Sequence, residues 1–392
     1  PKVRILYCPP RSALFKGRSA SHKFKTANLA VLWYNGIMLE KKNNSIIFHK
    51  GIFKPVATVA DAVFMITGMT IGAGILAIPY AVSQVGLFIG VLMILGLGSF
   101  TLFLNYMIGE IAINTREPLQ LVGFTGKYLG KTAKHFLMLI LLTSSFGSLL
   151  VYIVGEGIAL SAMFGGSSFL WSIFFWSVGS FIIWGGLRRI KTIDKLFGSI
   201  VMAIILGLAI LALPRFQIEQ MFFFDAGKLF LPFGVILFAL NGTAAIAEAH
   251  ALLPNRARDF RKALIIGTLI PIFLYALFAI SVVGFTGQAT TEIATVGLGR
   301  AFGPVVSFIA NLFAALAMCT GFIGLGTALR ETLVWDNKLP DAAALFLVVS
   351  VPLALFLFGL RNFIGIIDVL GSVVIASETI LMAMIYLKVR RG

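Results

Sequence analysis

Thr67 to Tyr80 reads T-G-M-T-I-G-A-G-I-L-A-I-P-Y, an apolar run with glycine at 68, 72 and 74 and proline at 79. It lies inside Ala62 to Gly109, which contains no charged residue. A bilayer core of ~30 Å takes about 20 apolar residues per helical pass, so this stretch holds two passes. Yet the first of them is a poor regular helix, because each glycine disfavours helix by about 1 kcal/mol relative to alanine. Gly68 and Gly72 also form the G-x-x-x-G pair found at close helix contacts, so tight packing and an unwound turn both fit the glycines alone.

A second interruption tips the reading. Asn241, Gly242 and Thr243 sit in the middle of the apolar segment from Leu229 to Leu253. Hydrophobic runs bounded by charges, Gly and Pro give ten passes. Val56 to Tyr80, Gly86 to Gly109, His135 to Phe164, Phe169 to Gly186 and Leu196 to Leu213 are the first five. Leu229 to Leu253, Ala263 to Phe285, Val305 to Leu329, Ala342 to Leu360 and Ile364 to Leu387 are the second five. The interruptions then occupy matching positions, the first and sixth helices, which is the sequence pattern of an inverted-repeat transporter with its site at the midplane. The expected fold is all-α and polytopic, a five-plus-five inverted repeat with those two helices broken.

Unwound backbone in lipid costs several kcal/mol per unpaired group unless a ligand or water satisfies it. The amide groups from Gly72 through Ala73 and Gly74 to Ile75, at a helix start, suit a carboxylate. The carbonyls around Thr67, Gly68, Phe238 and Ala239 suit an ammonium. A zwitterion satisfies both, and Thr70, Asn241, Gly242 and Thr243 complete the candidate set. Phe238 is also placed to pack on a substrate side chain, and Thr320 to offer a hydroxyl, although helical Thr commonly bonds its own backbone.

Composition and charge agree with a membrane protein. The chain is 59% hydrophobic and 12% charged, with mean hydropathy +0.97, outside the range of soluble domains. Its net charge of +16 is not a nucleic-acid footprint, because 11 of the 32 Lys and Arg lie in the first 55 residues and most others lie in alternate loops. With the first helix starting inside, 17 Lys and Arg after residue 55 fall on the cytoplasmic side and 4 on the other, so both termini are expected to be cytoplasmic in an inner (plasma) membrane. Two cysteines and four scattered histidines offer neither a disulfide framework nor metal-ligand spacing, and no cofactor is expected. Gly126 to Thr132, G-K-Y-L-G-K-T, is one residue short of a phosphate-binding loop.

Residues 1–55 are read as a basic, unstructured tail and 56–392 as the transporter domain. The tail has one acidic residue, Glu40, and an apolar run from Ala27 to Leu39 without a cleavage pattern, so translation is expected to start at Met38. Signal-peptide and transit-peptide readings fit it less well.

Thr70 to Ala81, T-I-G-A-G-I-L-A-I-P-Y-A, resembles the first-helix signature of the amino acid/auxin permease family, within the amino acid-polyamine-organocation superfamily. Thr320 to Pro340 is similar to its bacterial hydroxy and aromatic amino acid permease branch. The resemblance covers about Val56 to Leu387 and implies a leucine-transporter-like fold, secondary transport of amino acids and coupling to protons. Sodium-coupled relatives tend to carry Asn where this chain has Gly68, which puts a sodium site there in doubt. The resemblance also implies that Tyr152 caps the substrate carboxylate and that Glu156 lies on a site-lining helix. Intramembrane carboxylates are functional candidates by default, so Glu156 and Glu378 are proton-coupling candidates, the latter on a helix expected to be peripheral. Glu248 and His250 join them near the inner end of the sixth helix. A receptor that binds without transport and a membrane enzyme are the competing readings, the latter lacking convergent titratable groups.

Overall fold

The computed structural model describes residues 39–41, 44–46, 58–115, 119–185, 202–221, 223–253, 256–335 and 338–391. The basic loop residues Arg116, Arg188, Arg189, Lys191 and Lys195, and the start of the expected fifth pass, lie outside them. So does most of the tail, although Leu39–Lys41 and Asn44–Ile46 pair as antiparallel strands where no structure was expected.

Val56, the expected start of the first pass, lies outside the described residues; the first described helix begins at Val59, capped by Thr58. The Thr58 hydroxyl accepts from the Asp61 amide at 3.2 Å, and the Asp61 carboxylate accepts from the Thr58 amide at 2.9 Å, a capping box that fixes the start of α1, Val59–Thr70. Next come α2 (Gly74–Val85), α3 (Leu87–Thr115), the short α4 (Leu121–Tyr128), α5 (Lys131–Phe164), α6 (Ser168–Gly185) and α7 (Met202–Arg215). The second half holds α8 (Leu231–Leu240), α9 (Thr243–Leu252), α10 (Ala257–Thr286), α11 (Ala294–Phe302), α12 (Pro304–Trp335) and α13 (Asp341–Leu357). It ends with α14 (Phe363–Val369), a π-helical turn over Leu370–Ile375, and α15 (Ala376–Arg391).

Among the described residues, seven helices are long and apolar enough to cross a membrane, and eight if α1 and α2 count as one span. α7 and α13 are shorter apolar helices. Most long helices overrun their apolar windows, as α5 does by starting at Lys131 rather than His135, because a charged end continues the helix into the headgroup zone. α4 and α11 are short connecting helices that hydrophobicity alone does not reveal.

α1 packs on α10, α2 on α8, α9 on α1 and α3, and α3 on α10. α5, α6, α12 and α13 pack mainly on one another. The last span touches both groups, α8 and α3 on one side and α5 on the other. Large apolar side chains such as Phe103, Phe181 and Phe273 stay exposed on the outside, as a lipid-facing surface requires.

Candidate functional site

The first apolar segment stops being helical at Ile71. Its amide still donates to the Thr67 carbonyl at 2.9 Å, but its backbone is extended (φ −79°, ψ 99°), and regular helix resumes at Gly74 after Gly72 and Ala73. α1 and α2 meet there at 57°. The other interruption is gentler: Asn241 is extended (φ −71°, ψ 102°) and α9 restarts at Thr243, while α8 and α9 together read as one 22-residue apolar span.

The two interruptions touch. A Cβ on Gly74 would lie 2.5 Å from the Ala239 Cα, and one on Gly242 would collide with the Thr70 Oγ1. Gly74 therefore lets the α2 start reach the α8 end in close backbone contact. Gly68 is the opposite case, exposed and with nothing within 4 Å of its absent side chain.

Of the four carbonyls expected as acceptors, those of Thr67, Phe238 and Ala239 already take a hydrogen bond. The Thr67 carbonyl is taken by Ile71 and the Phe238 carbonyl by the Asn241 amide at 3.3 Å. The helix-end carbonyls of Thr70 and Ala239 both accept from the Tyr275 hydroxyl of α10, at 3.0 and 3.1 Å. Sequence reasoning missed Tyr275. Its signal was a tyrosine in the middle of an apolar 30-residue helix, since a buried phenol must find an acceptor.

Tyr152 is brought to the first interruption. A Cβ on Gly72 would meet its hydroxyl at 3.4 Å, and one on Gly321 of α12 would meet its ring at 2.6 Å. It thus lies between the unwound turn and a glycine step that makes room for it. Ala73, Ile75 and Ala239 are buried and Phe238 is half-buried. Several hydroxyls turn inward to protein: Thr67 donates to the Gly267 carbonyl at 3.2 Å, Thr70 to Ile66 at 2.8 Å, and Thr320 to Leu316 and Ala317 at 3.0 Å.

Of the four titratable candidates, Glu378 is the one tied to an interruption. The Thr243 hydroxyl, first residue of α9, donates to its Oε1 at 2.6 Å and lies 3.0 Å from the Asn241 Oδ1. Glu378 is 2% exposed, on the inward face of a last span whose other face, at Val369, Val373 and Ile380, is exposed. Glu156 on α5 is equally buried. Glu248 is half-buried and His250 packs edgewise on Phe260 at 5.1 Å. Among the described residues no group of three or more His, Cys, Asp and Glu forms a metal cluster.

Lipid-facing helices around a core that holds paired backbone interruptions and buried carboxylates define a multi-pass membrane transporter. The profile of the tryptophan/tyrosine permease family matches residues 57–392, and the chain belongs to that family. It is 26% identical over 342 residues to the tyrosine-specific transport system 2 of Haemophilus influenzae, covering 78% of this chain and 82% of that one. It is 24% identical over 302 residues to glutamine transporter 2 of Aliivibrio fischeri, covering 72% and 78%. Among solved structures it resembles MhsT in complex with L-phenylalanine, at TM-score 0.64 and 16% identity, covering 84% of this chain and 89% of that one. It also resembles inward-facing Mhp1, at TM-score 0.62 and 11% identity, covering 84% and 76%.

Proposed function

We propose that this permease carries a neutral amino acid, aromatic or glutamine-like, by proton-coupled symport with alternating access. The observation that carries the reading is the contact of the two interruptions, which sets unwound backbone from two spans, the Tyr152 hydroxyl and the Thr243–Glu378 pair around one region. Backbone amides from Gly72 to Ile75 and the Tyr152 hydroxyl are the proposed carboxylate donors. The relatives' names support tyrosine or glutamine as the first substrates to try.

In this reading α7 and α13 join the longer spans to make ten passes in two inverted sets of five, residues 56–392 are the transporter domain, and both broken helices are working parts. The positive-inside count supports cytoplasmic termini in the inner membrane. Glu378 is the foremost proton carrier, because its partner Thr243 opens the second half-helix; Glu156, Glu248 and His250 stand behind it.

The test is uptake of labelled L-tyrosine, L-phenylalanine and L-glutamine into proteoliposomes, with the remaining amino acids as competitors. An acid-outside pH gradient is expected to drive accumulation and a sodium gradient to have no effect. Binding without accumulation would instead indicate a receptor, and sodium dependence without a pH effect would remove the proton.

A further inference from the structure

The carbonyl end of a helix carries roughly half a negative charge. Two such ends, the last turns of α1 and α8, are aimed here at a single point. Thr70 closes α1 and Ala239 is the next-to-last residue of α8, and their carbonyl oxygens lie 3.0 and 3.1 Å from one phenolic oxygen. Converging half-helix carbonyls of this kind are the usual seat of a coupling cation in transporters built on discontinuous helices. In this chain the seat is filled from the side by Tyr275, which is 0% exposed and comes from α10, the helix against which α1 packs.

We infer that the Tyr275 hydroxyl stands in for a monovalent cation between the two interrupted spans, which makes Tyr275 the positioning residue that frees this permease from an alkali-metal requirement. The inference rests on the proposed transport reading for its consequence, and on the Thr70–Tyr275–Ala239 geometry for its substance. One hydrogen shared between two acceptors supplies part of the positive charge that a metal ion would bring. Being part of the chain, it ties the two half-helices without a bound cation. It also removes the Thr70 and Ala239 carbonyls from the acceptors open to a substrate ammonium, which must use others nearby.

Two substitutions separate the parts of the claim. Tyr275→Phe keeps the ring and removes the shared hydrogen, leaving two buried carbonyls without their donor. Tyr275→Ala also removes the ring and opens space at the seat. The first readout needs no substrate: thermal unfolding of the purified full chain in detergent, in sodium, lithium or choline chloride at equal ionic strength. The native protein is expected to unfold at the same temperature in all three. Tyr275→Ala is expected to be stabilised by sodium or lithium relative to choline, because an ion bound only by the folded state raises its stability. The second readout is binding of labelled L-tyrosine, L-phenylalanine and L-glutamine. Tyr275→Phe is expected to bind about tenfold more weakly than the native protein, and the alkali cation to restore binding to Tyr275→Ala.

Sodium-dependent unfolding of the native protein would overturn the inference, as would native-like binding by Tyr275→Phe. A Tyr275→Ala protein indifferent to every alkali ion would do the same. Failure of the native protein to bind any of the labelled amino acids would sink the transport reading instead, while the unfolding series would still decide the role of Tyr275. Should Tyr275→Phe fail to fold, the native protein and Tyr275→Ala decide it by that same series.

Discussion

At the residue scale the most informative bond is the one from Thr243 to Glu378. A hydroxyl at the first position of a half-helix, 2.6 Å from a buried carboxyl on another span, links any change at that carboxyl to the backbone of the second interruption. Glu378→Gln keeps the shape and an acceptor for Thr243 but fixes the group in a neutral state. We therefore expect it to abolish proton-driven accumulation while leaving exchange of labelled for unlabelled substrate within about threefold of native, a loss of under 1 kcal/mol. Equal loss of both activities would make Glu378 structural. Thr243→Val removes the donor and is expected to cut accumulation about tenfold, with Thr243→Ser restoring it. A Thr243→Ser protein as inactive as Thr243→Val would show that the β-methyl, not the hydroxyl, matters there.

At the element scale the glycines of the first span part company. Gly74→Ala must push Ala239 backbone from 2.5 Å, so we expect it to destabilise the protein by ~1–3 kcal/mol, read as a lower unfolding temperature in detergent. Gly68→Ala meets open space inside a helix and is expected to stabilise by up to about 1 kcal/mol. The reverse order would mean that α1 and α2 are joined differently. Gly72 and Asn241–Gly242 mark in the sequence where the backbone leaves the helix, at Ile71 and at Asn241, because helix propensity is local. The sequence does not carry their unequal bend, nor which carbonyls end up bonded, because these depend on what α10 presents, 205 residues from Thr70 and 36 from Ala239. The Thr320 hydroxyl bonds its own helix, as helical threonines commonly do, while Tyr275, an aromatic in a long apolar helix, holds the two spans together. The π-helical turn over Leu370–Ile375 was equally illegible; Gly371 there presses on the Gly234 backbone of α8, a fit that periodicity cannot express.

At the scale of the whole molecule, the polar ties sort by the group of helices they serve. Arg261 and Glu110 join α10 to α3 in a bidentate pair at 2.6 and 3.0 Å, and Tyr275 joins α10 to α1 and α8. Arg330 on α12 holds Asp341 of α13 at 2.8 and 2.6 Å and the Ile183 carbonyl of α6 at 2.8 Å, entirely within the other group. Between the groups lie contacts of another kind: Tyr152 of α5 beside Gly72, and the last span, which carries Glu378 to Thr243. If substrate moves by one group rocking on the other, the arginine ties travel as parts of rigid bodies and the crossing contacts change. Arg330→Ala, which removes three bonds from a guanidinium only 18% exposed, is then expected to cost ~1–3 kcal/mol of stability. Arg261→Ala, at a side chain 43% exposed, is expected to cost under about 1 kcal/mol, and less at high salt. Both should leave uptake per folded molecule within about twofold of native, since under 1 kcal/mol separates rates that close. Unfolding midpoints measured beside uptake normalised to folded protein would check this, and a variant of normal stability that no longer transports would place its arginine at a moving boundary, dissolving the division into two bodies.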